Sequence, residues 1–81
     1  MTPATRSRGM NTVTVRPYLP DDRRPLERLA ALDDRRVPAQ PLVLAEVDGR
    51  LVAALSKRTG EAVADPFEST GHLVAMLRAT R

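Results

Sequence analysis

The chain has 81 residues, no cysteine and one histidine. That leaves room for one small domain, and for neither a disulfide framework nor a multi-histidine zinc site. Eleven of its apolar residues are Ala, Ile and Trp are absent, and Phe and Tyr occur once each, so a core must be built from Leu, Val and Ala. The formal charge of +3 invites a nucleic-acid reading, but residues 11–68 hold nine basic and ten acidic side chains. Arg23, Arg24, Arg35 and Arg36 are interleaved with Asp21, Asp22, Asp33 and Asp34. A nucleic-acid face needs clustered cations with few acids between them, so this class is disfavoured. Arg outnumbers Lys twelve to one; Arg suits phosphate recognition, but the excess reads as the codon usage expected of a GC-rich genome.

Residues 1–11 (MTPATRSRGMN) are polar, small and basic. They have nothing to bury and are expected to form a disordered tail, with Met10 as an alternative start. They lack the apolar run of a signal peptide. No stretch approaches the ~20 apolar residues of a membrane span, so a cytoplasmic chain without membrane contact is expected.

The ordered domain is expected over 12–81. Thr12 to Arg16 is β-branched and alternating, and reads as a short strand ended by Pro17 and Pro20. Asp22 to about Asp34 reads as a helix with Asp22 as N-cap, Pro25 at the third helical position, and Leu26, Leu29, Ala30 and Leu32 as its buried stripe. The run 37–41 (VPAQP) breaks it.

Leu42 to Ser56 carries two apolar runs around Asp48-Gly49, a dipeptide suited to a type I′ turn. That turn predicts Val47 opposite Arg50, Ala45 opposite Val52 and Val43 opposite Ala54 on one face. On the other it predicts Glu46 opposite Leu51, Leu44 opposite Ala53 and Leu42 opposite Leu55. Both faces are apolar away from the turn, so both must be covered. Glu61 to Ala64 reads as a third antiparallel strand, and Phe67 as a plug at the edge of the core. Ser69 or Thr70 is expected to cap a last helix with apolar positions Leu73, Val74, Met76 and Leu77. The fold class is α+β: a small antiparallel sheet with a helix on each face, in the order β-α-β-β-β-α.

Candidate chemistry is sparse. His72 falls in the first turn of the last helix, where the dipole disfavours imidazolium, and it reads as a surface residue. Asp21-Asp22 and Asp33-Asp34 sit at helix ends beside Arg pairs and read as caps and solvated charges. Tyr18 reads as a packing residue. Gly9, Gly49, Gly60 and Gly71 are isolated and form no phosphate loop; Thr70-Gly71-His72 opens a helix and offers an anion-binding end, as any helix start does. These patterns assign no catalytic residue, no metal ligand and no cofactor-binding residue.

The phrases V-T-V-R-P, L-P-D-D-R-R-P-L-E-R-L-A-A-L and P-L-V-L-A-E-V-D-G-R-L-V-A-A-L-S, in that order, resemble the amino-terminal half of the GNAT N-acetyltransferase superfamily. The resemblance spans residues 13–56. It implies a strand ending in Arg-Pro, a helix whose first turn reads Pro-x-Asp, and a hairpin about Asp-Gly. It also implies acyl transfer from acetyl-CoA to an amine, with the cofactor pyrophosphate held by a Q/R-x-x-G-x-G/A segment after the fourth strand. Here the corresponding stretch reads D-P-F-E-S-T-G-H-L and matches only at Gly71, so the fold carries over and no functional residue does. The expectation is a GNAT-like half-domain without self-sufficient acetyl transfer, binding acetyl-CoA only if the missing half is supplied. The alternative is a small protein-interaction module. In either case the strand Glu61 to Ala64 is expected to be an open edge, through which a homodimer or another protein partner could pair.

Overall fold

The fold is organised around its central hairpin. Asp48 and Gly49 both adopt left-handed backbone, with φ of 52° and 82°, as a type I′ turn requires. Strands β2 (Leu42–Val47) and β3 (Arg50–Ser56) leave this turn with Val47 opposite Arg50 and Glu46 opposite Leu51, as predicted. Structural description covers residues 12–68 and 70–80 in this computed structural model. The expected tail 1–11, and Ser69 as one of two expected caps, lie outside the described residues.

Beyond Glu46 the predicted register fails. Ala45 pairs with Ala53, Leu44 with Ala54, Val43 with Leu55 and Leu42 with Ser56, so Val52 is the extra residue of a β-bulge. The bulge moves Ala53 and Leu55 to the face opposite the one predicted, and volume explains why. Without it, Leu42, Leu44 and Leu55 would crowd one face and leave the other mainly Val and Ala. With it, Leu42 and Leu44 pack beside the small Ala54 on one side, while Leu55 packs beside Ala45 and Ala53 on the other. Both sides are covered, as the apolar pattern required.

Strand β1 (Val13–Pro17) pairs with β2, and β4 (Ala62–Ala64) pairs with β3. The result is a four-stranded antiparallel sheet in the order β1-β2-β3-β4. β1 ends one residue later than expected, because an edge strand tolerates the missing N–H of Pro17. Thr12 anchors its start: its N–H donates to Asp48 Oδ1 at 3.0 Å, and its carbonyl accepts from Asp48 N–H at 2.9 Å.

A tight helical turn, Pro20–Asp22, leads into helix α1 (Arg23–Leu32). Pro25 takes the third helical position as expected. Leu26, Leu29 and Ala30 are buried against Leu42, Leu44, Ala54 and Val63. Leu32, predicted to join them, is 46% exposed. At 100° per residue it falls outside the arc set by 26, 29 and 30, whose centre is taken at the next turn by Asp33. The helix closes with Arg35 N–H on Ala30 O at 2.9 Å and Asp34 N–H on Ala31 O at 3.1 Å. This is a Schellman pattern that places Asp34 at φ 54°.

Helix α2 (Gly71–Ala79) covers the other face, with Leu73 and Leu77 buried and Leu77 packed against Val43, Ala45, Ala53 and Leu55. Val74 is half-buried, while Met76 is 38% exposed at the helix flank. The predicted core plug, Phe67, is 81% exposed. A turn over 65–68 carries it outward: Asp65 Oδ1 accepts Phe67 N–H at 2.8 Å, Glu68 N–H donates to Asp65 O at 3.2 Å, and Glu68 is held by Arg50. Val52 and Leu73 fill the core at that end instead.

Candidate functional site

A groove of about 1040 Å³ runs along the outer side of β4. One wall is the chain leaving α1, with Arg35, Arg36 and Pro38; the other carries Arg78 of α2. Its floor is the free edge of the strand. Ser56 N–H donates to Glu61 O at 2.8 Å and Asp65 N–H to Val52 O at 2.9 Å. In an antiparallel ladder these bonds fix the alternation: Val63 faces β3, while the backbone groups of Ala62 and Ala64 point into the groove. Among the described residues no strand pairs with the outer edge of Ala62–Ala64, the edge expected from the sequence to be open.

One of those groups is already engaged. Ala64 N–H donates to Asp33 Oδ2 at 3.1 Å, and the same oxygen lies 3.3 Å from Arg35 Nε. Asp33, read from sequence as a solvated helix-end charge, thus serves as a side-chain substitute for a neighbouring strand. Among the described residues nothing occupies Ala62 N–H or the outward carbonyls. Arg78 reaches back to Gly60 O at 3.3 Å and braces the loop that enters β4.

A second polar cluster ties β1 to α1. Arg16, on the α1 side of the sheet, donates to Asp22 Oδ2 and Oδ1 at 2.8 and 2.7 Å and to Glu46 Oε2 at 2.9 Å. Asp22 also accepts Leu19 N–H at 2.7 Å and is 8% exposed. The two hydrogen bonds from Arg16, then that from Leu19, hold the Asp22 carboxyl below its ordinary value against the opposing effect of burial; the carboxylates in turn hold the guanidinium charged. Asp22 was expected to cap α1 with its side chain. It occupies the N-cap position without a capping bond, because its carboxylate is turned back onto the strand. The cluster is a clamp that joins β1 to β2 and to the turn before α1.

The remaining sequence candidates are dispersed. His72 is exposed on α2, beside a smaller hollow of about 400 Å³ lined by Val13, Val47, Val52 and Leu73. Tyr18 is half-buried and packs on the α1 side of the core, as expected. Asp21 and Asp34 are exposed, and a Cβ at Gly71 would meet nothing within 4 Å, so nothing there requires glycine. Among the described residues no three His, Cys, Asp or Glu side chains converge, and no helix is long and apolar enough to cross a membrane.

Comparisons with protein-family models, curated proteins and solved structures give no match for this chain.

Proposed function

We propose that this chain is a GNAT-like half-domain acting as an interaction module, which accepts an extended segment of another polypeptide along β4 and does not turn over acetyl-CoA on its own. The observation that carries this is the aim of the Ala62 and Ala64 backbone groups into the groove, where Asp33 already occupies one of them from outside. An incoming strand would pair with Ala62 and displace Asp33 from Ala64. Main-chain hydrogen bonds would supply affinity, and alternate side chains would reach the walls. The likeness to the acetyltransferase pattern is supported by the element order and by helices on opposite faces of the sheet. Arg16 and Asp22 add to it, because the residue before Pro17 is joined to the turn that opens α1. Fold likeness alone assigns no activity.

The test uses random extended heptapeptides displayed on phage and panned against the folded chain, with Ala62→Pro as comparator. Ala62 belongs to a non-hydrogen-bonded pair of the β3–β4 ladder, so proline there removes only an outward N–H. Peptides that bind the native chain and bind Ala62→Pro about tenfold more weakly, the loss of one good main-chain contact, support the reading. Peptides that do not discriminate overturn it. Acetyl-CoA is the second probe. At 100 times its Kd a ligand adds about 2.7 kcal/mol, several degrees of Tm at this size, and such a shift would restore the enzyme reading.

A further inference from the structure

The opposite edge of the sheet carries a different and independent signal. β1 pairs with β2 on one side only, and both helices pack over β2, β3 and β4, away from it. Asp48 N–H on Thr12 O, and Tyr18 N–H on Leu42 O at 3.2 Å, place the inward ladder bonds on even-numbered residues. The backbone groups of Val13 and Val15 therefore point outward, with no partner among the described residues. Pro17 sits at the third outward position, has no N–H to offer, and its carbonyl already accepts from Arg16 at 3.1 Å. The usable edge is thus short and sharply bounded at one end. Val13 and Val15 are 42% and 39% exposed on the α2 side of the sheet. Thr12 to Val15 contains none of the charges with which native edge strands discourage pairing.

This edge is complementary to itself. An antiparallel copy placed about a two-fold axis at Thr14 sets Val13 against Val15 of the second copy, and Val15 against Val13. Each of these pairs exchanges two main-chain bonds, so all four outward groups of the two valines are satisfied. Thr14 then meets Thr14 of the second copy as a non-hydrogen-bonded pair, a favourable cross-strand match. A two-fold axis at Val15 would set Val13 against Pro17 and lose a donor. Four β-branched valines from the two copies would meet on the α2 face.

We infer that β1 is a self-association edge, through which two copies join antiparallel about Thr14 into an eight-stranded sheet. With no helix packing across the seam the dimer is weak and concentration-dependent. The β4 groove remains open in it, so this inference does not rest on the reading of that groove.

The absence of cysteine makes the register directly measurable. In the proposed pairing the two Cα atoms of residue 14 lie about 4.5 Å apart, within disulfide reach. Those of residue 12 lie about 14 Å apart, beyond it. Thr14→Cys should be trapped as a covalent dimer in a glutathione redox buffer, while Thr12→Cys stays monomeric. Thr14→Lys sets two ammonium groups opposite each other across the seam but beside Glu46 in the monomer. It should retain the circular-dichroism spectrum and weaken association by about tenfold or more, as measured by light scattering across a concentration series. A folded Thr14→Cys that is not trapped, equal trapping at residue 12, or unchanged association in Thr14→Lys would each overturn the inference.

Discussion

Arg16→Met removes the guanidinium while keeping much of the aliphatic stem that fills the space between β1 and the start of α1. Asp22 then loses two charge-assisted bonds of 2.8 and 2.7 Å and retains only Leu19 N–H, at a site 8% exposed; Glu46 loses one of 2.9 Å. Bonds to charged groups are worth about 1.5–3 kcal/mol each when fully desolvated. The side chains here keep 27%, 12% and 19% exposure for Arg16, Asp22 and Glu46, so water recovers part of the loss, and the net cost is about 2–3 kcal/mol. At this chain length that lowers Tm by about 10–20 °C, measured by calorimetry at pH 7.

The pH dependence follows from the direction of the Asp22 shift. A carboxyl held below its unfolded value stabilises the fold fully above that value, near 3.9, and the contribution is lost as pH falls through the depressed folded value. The gap in Tm between native chain and Arg16→Met should therefore hold from pH 8 to pH 5 and narrow below about pH 4. A gap under about 2 °C at pH 7, or one that widens on acidification, would refute the clamp.

Four further outcomes follow from the structure. Asp34→Gly, at φ 54° in the closing turn of α1, should raise urea-unfolding stability by about 0.5–1 kcal/mol, since glycine adopts that backbone without steric cost. Leu44→Ala empties a position with 0% exposure between the hairpin and α1 and should cost about 2–5 kcal/mol. Phe67→Ser, in the exposed turn, should change stability by less than about 0.5 kcal/mol in the same assay. Asp33→Ala should accelerate exchange of the Ala64 amide while leaving that of Val63 unchanged, because only the former depends on the Asp33 carboxylate.

What could be read from residues and what could not divide along physical lines. Asp48-Gly49 announced its turn, since few dipeptides tolerate two left-handed residues, and the doubly apolar strands beside it demanded two covers. The shift at Val52 was hidden, because alternation in an all-apolar strand carries no phase: Leu51, Val52, Ala53, Ala54 and Leu55 satisfy either register until the volumes of both helices are set against them. Leu32 and Phe67 are apolar yet exposed, because helical phase turns one outward and a local turn of the backbone exposes the other. The Arg16 clamp does leave a signal in the sequence. An arginine at an even position of a strand whose even positions face a helix must find a carboxylate, and Asp22 and Glu46 were the nearest acids on that side. Asp33 gave no comparable sign, because its role depends on β4 reaching the C-terminal end of α1, a contact between residues 31 positions apart.

The central claim is that the outer edge of β4 is an open acceptor for a strand, and residue-level amide hydrogen exchange tests it most directly. In the free protein Val63 should exchange slowly, Ala62 rapidly, and Ala64 at a rate set by Asp33; adding a peptide selected against the native chain should slow Ala62. An Ala62 amide as protected as Val63 in the free protein, or unaffected by such a peptide, would contradict the account.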